Sequence, residues 1–62
     1  MNNIVVAGGG VFGTAISERL AWNPNNNVII HSVEEDVVKS INEEHKNKKY
    51  FPTRFLNRSI KA

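Results

Sequence analysis

The sequence contains no cysteine. That excludes disulfide staples, zinc–thiolate sites and thiol nucleophiles together. Its two histidines, His31 and His45, are too few to build a metal site alone. No apolar run approaches the roughly 20 residues that a bilayer-spanning helix needs. The opening Met1–Gly10 has no basic segment ahead of its short apolar stretch, so it does not read as a secretory signal. With cysteine also absent, a cytoplasmic location is expected. The chain is short as well. Sixty-two residues make one small domain at most, and such a domain buries only about 60% of the surface its unfolded form exposes.

Charge is present in both signs but is segregated. All six acidic residues lie in the first 44 positions, and six of the eight lysines and arginines lie from Lys46 onward. A basic tail can meet nucleic acid or an anionic membrane surface. Here apolar residues interleave with the charges (Tyr50, Phe51, Phe55, Leu56, Ile60), as they do in a folded, solvated segment. No nucleic-acid-binding motif is present, and no nucleic-acid partner is expected.

Asn3–Ala7 is a β-branched apolar run without alternation, bounded by glycines. It predicts a strand buried on both faces, as in a parallel sheet. From Val11 to Trp22 the period changes, and Phe12, Ile16 and Leu20 align on one side of an amphipathic helix. Asn23–Asn27 reads as a polar surface turn. Val28–His31 is a second strand. Ser32 and Glu35 form an S-x-x-E capping box, followed by a helix to about His45 with Val33, Val37, Val38 and Ile41 on its apolar face. Glu34, Glu35 and Asp36 suit the positive end of its dipole, and Glu35–Lys39 has the spacing of a helical ion pair. Ser59–Ala62 has the character of another strand's beginning.

The order β-loop-α-β-α defines an α/β chain. It is a Rossmann-type βαβα fragment with parallel strands, the start of a larger doubly wound sheet. One such unit cannot cover both faces of its own sheet. Residues 1–62 are therefore expected to be an N-terminal piece of a larger α/β protein; with the glycine loop described next, that piece reads as the N-terminal part of a dinucleotide-binding domain.

Gly8-x-Gly10-x-x-Gly13 matches G-x-G-x-x-G. Alone that pattern is weak. Here it leaves a predicted strand and opens a predicted helix within a βαβ unit, the context the motif needs. Gly8 would turn the chain out of the strand, Gly10 would admit a pyrophosphate to the backbone, and Gly13 would let the helix approach the sheet. Gly9 completes the loop. The N–H groups near Val11 and Phe12 would bind the anion with help from the helix dipole. The Phe12 side chain either packs the helix on the sheet or flanks the cofactor. No Lys-Ser/Thr follows the glycines, which disfavours a triphosphate P-loop.

At the end of the second strand an acid is expected on the adenosine ribose, about 20 residues past the motif. His31-Ser32-Val33-Glu34 stands there, with no arginine near. A 2′-phosphate would meet Glu34, Glu35 and Asp36 and no cation, so NAD is favoured over NADP. Ser32 and Val33 are the candidate adenosine-side residues. Ser32 either binds ribose or caps the helix.

Gly8–Ala15, GGGVFGTA, resembles the G-x-G-x-[WFY]-G-[TS]-A opening of NAD(P)-dependent glycerol-3-phosphate dehydrogenases. Val33-Glu34-Glu35-Asp36 resembles the aromatic-Glu-Glu-Asp of their eukaryotic-type members. Ile41-Asn42 and His45–Pro52 resemble their I-N…H-x-N-x-K-Y-L-P segment, and Leu56 and Ile60–Ala62 keep the register. Thr53 departs from the usual glycine, Asn57 from a frequent proline, and Val33 from an aromatic or basic residue.

The resemblance implies reversible hydride transfer between a nicotinamide and C2 of dihydroxyacetone phosphate. It implies a phosphorylated triose or glycerol substrate held by a further helical domain, catalytic residues beyond position 62, and a homodimer. It also implies that Tyr50 and Phe51 dock their loop on the domain. Ketopantoate reductases and hydroxyacid dehydrogenases would share the glycines, but not the H-x-N-x-K-Y-x-P segment. A small non-enzymatic basic module is the alternative of a different class.

Overall fold

A computed structural model describes all residues, 1–62. The elements are β1 (Asn2–Ala7), α1 (Val11–Ala21), β2 (Asn26–His31) and α2 (Glu35–Glu44). β1 and β2 pair in parallel, with Ile4 beside Val28 and Val6 beside Ile30. The βαβα reading with parallel strands holds.

At the expected beginning of a third strand, a single bridge forms. Lys61 bridges Ile29 in parallel. The Ile30 N–H donates to the Lys61 carbonyl at 2.7 Å, and the Lys61 N–H donates to the Val28 carbonyl at 3.1 Å. β2 is thus central, with β1 on one edge and the chain's last residues on the other.

Both helices lie on one side of this sheet. Ala21 of α1 and Val37 and Ile41 of α2 meet Val28 and Ile30 of β2, and Leu56 and Ile60 close the same core. The opposite face is bare: Val5 and Ile29 are exposed there. β1 is consequently not buried on both faces, contrary to its apolar composition. A strand run of this kind is written for a sheet covered twice, and these elements cover it once.

α1 also differs from its periodicity. Its buried stripe is Thr14, Ser17 and Ala21, whereas Phe12 and Ile16 are exposed. Small side chains bring the helix axis close to the strands, and the larger apolar residues on its flank do not reach this core. The Ser17 hydroxyl is satisfied by donating to the Gly13 carbonyl at 2.8 Å.

The asparagine run is only partly a turn. Asn26 and Asn27 belong to β2, where their side chains bond Asn2 and Asn3 across the strands, each at 3.1 Å. The Asn26 amide also donates to the Leu20 carbonyl at 2.8 Å, satisfying an end group of α1.

The expected capping box is absent. The N-cap of α2 is Glu34, in extended backbone. Ser32 Oγ instead accepts the Glu34 N–H at 3.2 Å, forming a local turn before the helix. Val33 therefore lies off the helix and is 90% exposed. Ser40, with Val37 and Ile41, completes the buried face of α2. Glu35 and Lys39 make no ion pair; the pairs that form are Lys48–Glu44 and Lys49–Glu34.

Residues 45–62 wrap back over the helices. Tyr50 and Phe51 pack against the core, as their docking role implied. The Asn57 N–H donates to Glu18 Oε2 at 2.8 Å, a bond that proline could not make. Ile41 is a fully buried member of the cluster. Ile41→Ala is expected to destabilise the fold by about 2–5 kcal/mol, read as a lowered urea midpoint with an unchanged slope.

Candidate functional site

β1 and β2 end side by side, and the loops that leave them face one another. In open α/β sheets ligands bind in the crevice at the carboxyl ends of the strands. A groove lies there, lined by Gly8, Gly9, Gly10, His31, Ser32, Val33, Glu34 and Tyr50. It brings together five of the eight candidate residues: Gly8, Gly9, Gly10, Ser32 and Val33. Val11 and Phe12 stand beside it on the first turn of α1, with exposed side chains. Gly13 lies within that turn.

The glycines divide their work. Gly8 has φ +108°, a conformation that side-chain-bearing residues rarely adopt. A Cβ on Gly13 would sit 2.2 Å from the Gly8 carbonyl oxygen, so α1 can start here only without a side chain. A Cβ on Gly9 would press on Val37 and Ser32 at 3.1–3.2 Å. Gly9 is buried. A Cβ on Gly10 would meet nothing within 4 Å. Gly8 thus serves the chain's own turn and Gly9 and Gly13 its packing, while the absence of a side chain on Gly10 leaves space beside the backbone.

The donors point to an anion. The N–H groups of Gly10, Val11, Phe12 and Gly13 have no acceptor within the chain; the first helical bond runs from the Thr14 N–H to the Gly10 carbonyl at 3.0 Å. No acidic residue occupies the first turn of α1. Unpaired donors at the positive end of a helix dipole, beside an open glycine, fit a pyrophosphate.

The side of the groove formed by the loop after β2 holds a feature the sequence did not announce. Glu34 Oε1 accepts from the Tyr50 hydroxyl at 3.0 Å and is also bonded by the Lys49 ammonium. The Lys49 bond, then the Tyr50 bond, holds the Glu34 carboxyl below its ordinary value of 4.5. The Glu34 carboxylate in turn raises the Lys49 ammonium above 10.5. The expectation that no cation lies near the ribose end is therefore corrected: Lys49 comes from 15 residues further along the chain. Its charge is already matched by Glu34, and Val33, the exposed residue of this loop, offers a 2′-phosphate no partner.

Asn47 was likewise missed. It is fully buried, and its amide donates to the Gly9 carbonyl at 2.7 Å and to Thr14 Oγ1 at 2.9 Å. The available signal was its place in the H-x-N-x-K-Y-x-P segment, but an asparagine after a helix reads first as a turn former.

A glycine turn, free helix-start donors and a polar strand end on parallel strands define a dinucleotide-binding α/β unit. The family described as NAD-dependent glycerol-3-phosphate dehydrogenase N-terminus matches residues 3–62, and the chain belongs to that NAD-binding family. It is 48% identical over 58 residues to the glycerol-3-phosphate dehydrogenase [NAD(P)+] of Neorickettsia sennetsu, covering 94% of this chain and 17% of the relative. It is 40% identical over 60 residues to the protein of that name from Mesoplasma florum (97% and 18%). With the one from Staphylococcus haemolyticus it shares 42% over 62 residues (100% and 18%). The chain thus spans less than a fifth of the length of these relatives.

Gly13→Ala is expected to lower the melting temperature by several degrees, because backbone must move to admit the methyl group. Gly10→Ala should melt close to wild type yet weaken NADH binding about tenfold or more, measured by fluorescence titration. The Glu34–Lys49 pair sets a pH dependence. A lowered carboxyl pKa contributes stability that is present above 4.5 and lost as the pH falls through the folded-state value. A raised ammonium pKa contributes stability that is present below 10.5 and lost as the pH rises through its folded-state value. The stability difference between wild type and Glu34→Gln should be flat between these limits and vanish at the acid end, as read by urea unfolding against pH.

Proposed function

We propose that this chain forms the pyrophosphate- and adenosine-binding part of an enzyme that interconverts sn-glycerol 3-phosphate and dihydroxyacetone phosphate with NAD. The observation that carries the reading is the open backbone at Gly10 beside four unpaired N–H donors, in a chain whose relatives are named glycerol-3-phosphate dehydrogenase.

Bound NAD would supply the hydride chemistry. The residues of this chain hold its phosphates and its adenosine end. Gly10 through Gly13 supply backbone donors. Ser32, Val33 and Glu34 edge the adenosine side, with the Glu34 carboxylate held in place by Lys49 and Tyr50. Val33 presents an apolar surface to the base. The phosphorylated triose or glycerol, and the residues that move protons on it, belong to a further domain in this reading. The working protein is a cytoplasmic homodimer. Lys46 lies over the Phe55 ring at 4.5 Å, Lys48 pairs with Glu44 and Lys49 with Glu34, so much of the basic segment is engaged by its own chain.

The test is absorbance of the nicotinamide when dihydroxyacetone phosphate is added to the full-length protein with NADH or NADPH. Oxidation of NADH is expected, with NADPH used less well. NADH binding without turnover would reject the substrate and keep the cofactor; no binding of either cofactor would reject both.

A further inference from the structure

Building on the cofactor reading just proposed, we infer that Asn47 is a positioning residue for the pyrophosphate. By holding the Gly9 carbonyl in the core, it turns the Gly10 N–H out toward the bound anion.

The argument starts from the peptide group between Gly9 and Gly10. It is trans, like every peptide bond in the chain. In a planar trans peptide the carbonyl and the N–H point in opposite directions. Whatever fixes one therefore aims the other. The Gly9 carbonyl is fixed twice, by the Asn47 amide at 2.7 Å and by the Thr14 hydroxyl at 3.4 Å. Both partners are fully buried, so both bonds point inward. The Gly10 N–H has no acceptor in the chain and, opposite the carbonyl, faces away from the core; a Cβ on Gly10 would also meet nothing within 4 Å.

Without such a tether this peptide would be free to flip. Flanking glycines have no side chain to resist rotation. A flip would bring a carbonyl to the phosphates and an N–H into the core, repelling the anion and leaving a buried donor facing the Asn47 amide. Asn47 opposes that flip because its amide nitrogen can only donate.

The same side chain is held in place from its other end. Asn47 Oδ1 accepts the Tyr50 N–H at 3.1 Å. Tyr50 in turn donates its hydroxyl to Glu34 across the groove. Residues 47–50 therefore join the glycine loop to the loop after β2, and fix both ends of the groove relative to one another.

The test uses the full-length protein and two probes, ADP and adenosine, titrated by calorimetry. ADP carries the pyrophosphate; adenosine occupies only the nucleoside side. Asn47→Ala should weaken ADP about tenfold or more and leave adenosine unchanged. Thr14→Val keeps the shape, removes the second bond on the Gly9 carbonyl, and should show the same pattern at roughly three- to fivefold. If Asn47→Ala does not fold, the Thr14→Val ratio decides. Equal losses for both probes, or no loss for either, would overturn the positioning role. Wild-type protein that binds ADP no better than adenosine would instead overturn the pyrophosphate reading on which it rests.

Discussion

Helix α1 begins so close to the end of β1 that no side chain fits between them. A methyl group on Gly13 would stand 2.2 Å from the Gly8 carbonyl oxygen. This contact sets the position of the first helical turn, and the turn's position sets where its four free N–H groups converge. It also determines which residues α1 can bury. A helix so near the sheet has room for Thr14, Ser17 and Ala21, and none for Phe12 or Ile16. The small-residue stripe and the placement of the free helix-start donors have one cause.

Long-range polar tethers complete what that contact begins. The core is small, and the sheet is covered on one face. Side-chain amides do work that a larger domain would leave to hydrophobic packing. Asn47 bonds to the glycine loop, Asn57 to the carbonyl of Ala21, and Asn42 exchanges two bonds with Ala62. Each joins elements far apart in sequence. An asparagine amide can donate and accept at once, which suits it to bridging backbone groups that no helix or sheet ladder satisfies. The opposite face of the sheet is bare, with Val5 and Ile29 exposed.

Much of this was legible beforehand, for physical reasons particular to each residue. β-branched runs at Asn3–Ala7 and Val28–His31 admit little but strand. Three glycines at G-x-G-x-x-G spacing between a strand and a helix impose a turn with open backbone. Ser32 was misread because S-x-x-E describes a cap and equally permits a local turn; the backbone at Glu34 decided between them. Phe12 was ambiguous because periodicity tells which residues share a face and not which face is covered. The Lys49–Glu34–Tyr50 cluster had no signal, since 15 residues of helix and loop separate its partners.

Local chemistry is what the sequence by itself determined: the element order, the glycine turn and the preference for a dinucleotide. These follow from side-chain shape, backbone freedom and short-range spacing, while the family came from the resemblance of its motifs. The tertiary structure alone decided which face of each helix is buried, that Lys49 pairs with Glu34 in the loop after β2, and that Asn47 reaches back 38 residues to the Gly9 carbonyl. Those outcomes depend on the return path of residues 45–62, and no periodicity within a single segment encodes where another segment will lie.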